Sequence, residues 1–235
     1  MHQAIEETDP PRLFQTLSEP WKAAVQQAWL ACCAGTLPIG AVLVDRAGRI
    51  IAGGHNLRLA DHAVHPLAGS AVAHAEIVTL GSIKHKVGLH NLVLYTTLEP
   101  CPMCAGAIRL AGVGRVCFAS RDPLAGGMDL FRANQFMRSG RCEIEAPTPG
   151  LLEDLLIGLL VERLIKLAPQ GVGQSISAWS QVSPGAVAFG QRLARSGVID
   201  EMRSKNVPVE TSIGVLEKLY KGEMPADGVG LGVDR

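Results

Sequence analysis

Two short strings carry residues able to do chemistry together. The first is His74-Ala75-Glu76; the second is Pro100-Cys101-Pro102-Met103-Cys104. Cys101 and Cys104 stand one helical turn apart, so both sulfurs can reach one metal. Pro102 suits the first turn of a helix, and the positive end of a helix favours thiolate, the form that ligates zinc. His74 completes a His/Cys/Cys set. Three protein ligands leave a fourth tetrahedral position for water, which is the catalytic rather than the structural arrangement. A water there has its pKa lowered to about 7 and becomes a nucleophile at neutral pH. Glu76, two residues after His74, is better placed to move protons than to bind metal. It can take a proton from that water and deliver it to a ring nitrogen and then to a leaving amine. Each residue also has a plainer reading. A CxxC at a strand-to-helix junction suits a redox pair as well, His74 alone reads as a satisfied core histidine, and Glu76 alone as a solvated first-turn acid.

The elements that must position these residues follow from pattern. Residues 1–17 read as a loose arm, with Pro10-Pro11 preventing regular helix. Ser18 can cap a helix that Pro20 helps to start, with Trp21, Val25, Ala28 and Cys32 at helical spacing. Two strands, Ile39–Asp45 and Arg49–His55, join through a tight turn at Arg46-Ala47-Gly48. Residues 57–72 form a long loop. A helix over Ala73–Lys86, a strand over Asn91–Thr97, a helix over Pro102–Gly112 and a strand over Arg115–Ser120 follow. A helix around Asp129–Arg138 leads to a last strand, Arg141–Ala146. Alternation of this kind predicts an α/β sandwich around one sheet. After Ala146-Pro147-Thr148-Pro149-Gly150 the patterns are helical only: Leu151–Leu167, Pro184–Lys205 and Pro208–Tyr220, with a Gly- and Ser-rich connection over 169–183. The glycine-rich Gly222–Arg235 reads as a mobile tail. The division expected is an arm over 1–17, an α/β unit over 18–149 and a helical extension over 150–235.

The chain has 235 residues, 47% of them hydrophobic and 19% charged, which excludes a mostly disordered chain. Its 22 basic and 22 acidic groups cancel. They divide evenly, 13 basic and 12 acidic through residue 150, and 9 and 10 beyond it. Nucleic-acid and anionic-membrane partners usually demand a basic excess, so both are disfavoured. No apolar run approaches the ~20 residues of a membrane span, and the polar, acidic N-terminus lacks a signal-peptide pattern. The expected location is therefore the cytoplasm. The six cysteines, Cys32, Cys33, Cys101, Cys104, Cys117 and Cys142, read as a reduced set rather than a disulfide framework. The four outside the pair read as small buried hydrophobes.

H-x-E followed by P-C-x-x-C is the known signature of zinc nucleobase deaminases. The chain resembles the cytidine/deoxycytidylate deaminase superfamily, nearest the branch of tRNA adenosine deaminases and guanine deaminases. The strings that carry the resemblance are Gly53-Gly54-His55-Asn56, AHAEI at 73–77 and TLEPCPMCAGAI at 97–108, with weaker support from FASRDPLAGG at 118–127. It covers about residues 18–146. It implies a three-layer α/β/α sandwich with a five-stranded mixed sheet, one zinc per chain held at two helix N-termini, and hydrolytic deamination with release of ammonia. By motif, His74, Cys101 and Cys104 take the zinc roles, Glu76 the proton shuttle, and Asn56 a hydrogen bond to substrate. Asp122 falls where guanine-type members place an acid near the bound base; tRNA-type members carry it too. The resemblance also implies a homodimer or larger homo-oligomer.

The substrate expected is a free nucleobase, nucleoside or related small heterocycle, guanine-like or cytosine-like. The neutral extension and the thin basic patch of Arg121, Arg132, Arg138 and Arg141, offset by Asp122 and Asp129, are a poor grip for folded RNA. The alternatives are a tRNA-specific adenosine-to-inosine deaminase, a catalytically inactive deaminase fold serving as a binding module, and a redox protein using Cys101 and Cys104. Trp179 reads as core packing before a lid that stacks on a base; His62 and His65 read as loop surface before pocket lining. The apolar Leu151–Leu167 helix can close a pocket or form a subunit interface.

Overall fold

A computed structural model describes residues 12–61, 65–83, 89–147, 149–168 and 170–223. Strands β1 (Gly40–Val44), β2 (Ile50–His55), β3 (Val93–Thr96), β4 (Arg115–Phe118) and β5 (Glu143–Glu145) form one sheet in the order β2-β1-β3-β4-β5. Pairing is antiparallel from β2 through β1 to β3 and parallel from β3 through β4 to β5. The five-stranded mixed sheet is the one expected.

Strand alternation sorts the two faces. Ala41, Leu43, Leu94 and Val116 point to a core shared with helices α3 (Ala75–Gly81) and α4 (Pro102–Ala111). Val42 and Val44 point the other way, onto Ala24 of helix α2 (Glu19–Cys33), with Trp21 edge-on to Tyr95 at 5.0 Å. The contact between α2 and β1 is close enough to require glycine at position 40. A Cβ there would lie 2.3 Å from both the Ala24 carbonyl oxygen and the Ala28 nitrogen. Gly40→Ala is therefore expected to cost about 1–3 kcal/mol, as overpacking does, and to lower the thermal midpoint by roughly 2–4 °C per kcal/mol. Calorimetry checks it, and an unchanged midpoint would refute the close approach.

Beyond residue 150 come α6 (Leu151–Leu167), α7 (Gly173–Val182), α8 (Pro184–Ser196), α9 (Val198–Ser204) and α10 (Val209–Lys221). The apolar faces of α6, α8, α9 and α10 meet around Leu155, Phe189, Met202 and Leu216, and the same cluster takes in Val25, Trp29 and Cys32 of α2. The Trp29 indole donates to the Val207 carbonyl at 2.9 Å. Thus α2 is the wall between the sheet and the helical layer.

Several elements differ from their sequence reading. The end of the arm forms a short helix, α1 (Leu13–Thr16), because Leu13, Phe14 and Leu17 pack on the helical core and the Leu13 N–H donates to Glu217 Oε2 at 2.9 Å. Residues 1–11 lie outside the described residues, as does the tail from 224. Ser18 is the N-cap of α2 by position but makes no side-chain cap bond. The helix read over Ala73–Lys86 begins at Ala75 and ends at Gly81, with 84–86 outside the described residues. The helix expected around Asp129–Arg138 divides into a 3-10 turn, Met128–Arg132, and α5 (Gln135–Arg138), which Asn134 caps through Met137 N–H at 2.9 Å. The Gly/Ser-rich connection contains α7, and Pro184–Lys205 splits at Gly197, whose φ of 71° suits glycine. Cys32 and Cys117 are buried; Cys33 and Cys142 are only half-buried, which corrects the expectation for those two. No helix among the described residues is long and apolar enough to cross a membrane.

Candidate active site

The chemistry-bearing residues meet at the ends of β3 and two helix N-termini. His74 is the N-cap of α3 and Cys101 the N-cap of α4, so both side chains leave the chain where helical backbone N–H groups point. Cys104 follows one turn along α4. The three ligand atoms lie within 4.8 Å of one another. Cys101 Sγ is 3.5 Å from His74 Nδ1, Cys104 Sγ is 3.6 Å from it, and the two sulfurs are 3.7 Å apart. A tetrahedral zinc with its usual bond lengths has edges of about 3.8 Å between two sulfurs and about 3.6 Å between sulfur and nitrogen. The set fits zinc, with Nδ1 as the histidine ligand atom. The sequence reading left that nitrogen open.

Hydrogen bonds with Cys104 and then with His74 lower the Cys101 thiol to about 4; Cys104 itself is raised by its hydrogen bond with Cys101 and by burial. His74 is raised chiefly by its bond with Cys101. Glu76, in the first turn of α3, is buried. Its Oε1 accepts from Thr96 Oγ1 at 2.9 Å, and its Oε2 lies 3.4 Å from Cys104 Sγ. Loss of water raises the Glu76 carboxyl above the ordinary glutamate range.

A cavity of about 210 Å³ opens onto this cluster, and Asn56, His74, Glu76, Cys101 and Asp122 line it. Asn56 Oδ1 accepts from Thr36 Oγ1 at 2.9 Å and from the Arg58 N–H at 3.1 Å. Its amide nitrogen is thereby left as the donor toward the cavity. Asp122 Oδ1 accepts from the Leu124 and Ala125 N–H groups at 3.1 and 2.9 Å, a turn-forming role. The rest of the wall was not legible in the motifs. Leu37, Ile39 and Leu98 come from the α/β unit, while Leu160 and Leu164 of α6 and Ser175 and Trp179 of α7 come from beyond residue 150. Trp179 is both packed and pocket-lining: it is buried, and its indole donates to the Arg121 carbonyl at 3.1 Å. His65 lines a different cavity, with His55 and Gln27, and His62 lies outside the described residues.

The family model for the cytidine and deoxycytidylate deaminase zinc-binding region matches residues 15–120, which hold His74, Glu76, Cys101 and Cys104. A tRNA-specific adenosine deaminase of Bacillus subtilis (strain 168) is 38% identical over 146 residues, 59% of this chain and 83% of that protein. A cytosine deaminase of Candida albicans is 31% identical over 115 residues, 48% of this chain and 72% of that protein. A solved guanine deaminase of Nitrosomonas europaea is 24% identical, with a TM-score of 0.47 over 69% of this chain and 97% of that one. The chain is accordingly a hydrolase of carbon–nitrogen bonds in cyclic amidines. It belongs to the cytidine/deoxycytidylate deaminase superfamily.

Proposed function

We propose that the protein deaminates a small aminated heterocycle, a nucleobase, nucleoside or close relative, with release of ammonia. In this reading His74 Nδ1, Cys101 and Cys104 hold one zinc per chain, Glu76 carries protons, and Asn56 binds the ring. The observation that carries the substrate class is the wall built by the extension. Leu160, Leu164, Ser175 and Trp179 line the same cavity as His74 and Glu76. A mostly apolar pocket with a few polar groups suits a flat small molecule. Residues 150–235 then serve the deaminase unit of 18–149 as a fixed side of its pocket. A homodimer remains part of the proposal, on the family resemblance.

Bound zinc would supply Lewis acidity and make water nucleophilic at neutral pH. The chain does the rest. Thr96 fixes one oxygen of Glu76, leaving the other to take a proton from the attacking water. As the carbon–oxygen bond forms, Glu76 passes that proton to the ring nitrogen. It then moves the second proton of the water to the amine, and the carbon–nitrogen bond breaks with loss of ammonia. The Asn56 amide nitrogen donates to a ring carbonyl, which orients the amine-bearing carbon. Trp179 and Leu160 exclude bulk water.

A rival reading, tRNA adenosine deamination, has its support in the 38% identical Bacillus subtilis relative. Against it, the Arg121 guanidinium is engaged internally, donating to the Pro147 carbonyl at 2.9 Å and pairing with Glu153 at 3.6 Å. An ammonia-release screen over guanine, adenine, cytosine, their nucleosides, pterins, aminated triazines and a tRNA separates the two. Turnover of a small heterocycle is expected; turnover of tRNA alone would replace this proposal with the rival. Trp179→Ala is expected to raise KM for the active heterocycle by about tenfold, the worth of roughly 1.4 kcal/mol of lost aromatic contact. Metal analysis is expected to return about one zinc per chain, and His74→Ala a small fraction of it, since a tetrahedral site cannot close without that nitrogen. Equal zinc in the two proteins would dismiss the ligand assignment.

A further inference from the structure

We propose that the substrate carries an anionic group, a phosphate monoester or a carboxylate, which Arg58 binds at the mouth of the cavity. The inference deepens the deaminase reading and rests on it. Arg58 is the one lysine or arginine among the described residues that line the cavity. Its side chain is exposed, and among the described residues no ion pair or hydrogen bond engages the guanidinium. The Arg58 N–H donates at 3.1 Å to the same Asn56 oxygen that Thr36 holds, so the ring contact and the cation are set by one short stretch of backbone.

Two acids of the wall, Glu99 and Asp122, are occupied elsewhere. Glu99 accepts from the Asp122 N–H at 3.3 Å and the Met128 N–H at 3.4 Å, and Asp122 accepts from Leu124 and Ala125. Both carboxylates are thus directed at the backbone of 122–128 rather than at Arg58. Ser175 adds a second unengaged donor: it lines the cavity, and its hydroxyl has no partner among the described residues. The first turn of α7, where it stands, carries no acidic residue.

A guanidinium holds phosphate or carboxylate through two parallel charge-assisted hydrogen bonds, whereas an uncharged base would leave it merely solvated. Size agrees. The cavity of about 210 Å³ is smaller than the roughly 300–1,000 Å³ that encloses a whole drug-sized ligand. It holds a ring inside with a substituent reaching out past Arg58. The α6–α7 wall favours a free nucleotide-like molecule over an RNA phosphodiester as the source of the anion.

The test is a matched series on one ring: base, nucleoside, 5′-monophosphate, 5′-carboxylate, and a short RNA hairpin bearing the same base. With the zinc-loaded full chain, kcat/KM for one of the anionic small molecules is expected to exceed that of the nucleoside by about 10–100-fold, the worth of a hydrogen-bonded charge pair. Arg58→Gln should shrink that ratio to about threefold or less, and Arg58→Lys should restore part of it. A wild-type ratio near one, an equal loss across the series in Arg58→Gln, or a preference for the hairpin would overturn the proposal. A second measurement does not need turnover. Calorimetric titration with uridine and inosine and their 5′-monophosphates, which have no exocyclic amine to lose, reads anion binding directly. Tighter binding of a monophosphate that Arg58→Gln abolishes would support the anion site even if no member of the series released ammonia, an outcome that would sink the deaminase reading alone. Equal affinity for nucleoside and monophosphate would sink the anion site alone.

Discussion

Glu76→Gln is expected to reduce kcat for ammonia release by about 10²–10⁴-fold, the range general acid–base catalysis supplies, while leaving zinc content unchanged. The substitution is nearly isosteric. An amide oxygen can still accept from Thr96 Oγ1, which Glu76 Oε1 now does at 2.9 Å, so the first turn of α3 keeps its anchor. What is lost is a group that can hold a proton and release it. Burial raises the Glu76 carboxyl above the ordinary glutamate range, which brings its proton affinity nearer to working pH. The sign follows: the deprotonated form must accept the water's proton, so kcat/KM should rise with pH through this raised pKa. Glu76→Gln should lack that acid limb. Rates within tenfold of wild type at full zinc loading would remove Glu76 from the mechanism.

How much of this was legible in the sequence depends on the range of the interaction. His74, Glu76, Cys101 and Cys104 were found because each motif is local and each opens a helix, so type, spacing and capping agree. The sheet was legible because Gly40–Val44 and Val93–Thr96 are β-rich and turn-bounded. The partners of those residues were not. Thr96, which holds Glu76, is one threonine in a β-rich strand, and nothing in its neighbourhood marks it. Val172, Ile176 and Trp179 do recur at helical spacing, but the surrounding glycines and serines hid α7. The burial of two charges on α6 was not legible either. Glu153 and Glu162 are both buried, paired with Arg121 at 3.6 Å and Lys166 at 3.2 Å. Burial of a charged pair is decided by tertiary neighbours, which spacing alone cannot show.

Removal of residues 150–235 is expected to abolish cooperative folding and, with it, zinc retention and activity. The reason lies in α2, which has two apolar faces. Ala24 meets Val42 and Val44 of the sheet, while Val25, Trp29 and Cys32 meet the helices beyond residue 150. Truncation would return Val25, Trp29 and Cys32 to water. At about 1.5–3 kcal/mol for each large apolar side chain, the loss is roughly 5 kcal/mol, comparable with the whole stability of many domains, about 5–15 kcal/mol. The Trp29 indole would also lose its Val207 carbonyl. The sheet end of α2 is in turn what seats Gly40 and β1, and β1 pairs with the β3 strand that carries Thr96 toward Glu76. Damage to one face of α2 therefore reaches the catalytic residues through two packing steps. The full chain should melt in one transition followed alike by far-UV and near-UV circular dichroism. The 1–149 fragment should show no near-UV signal and no cooperative melt. A fragment that melts cooperatively and keeps its zinc would show that the extension only borders the pocket.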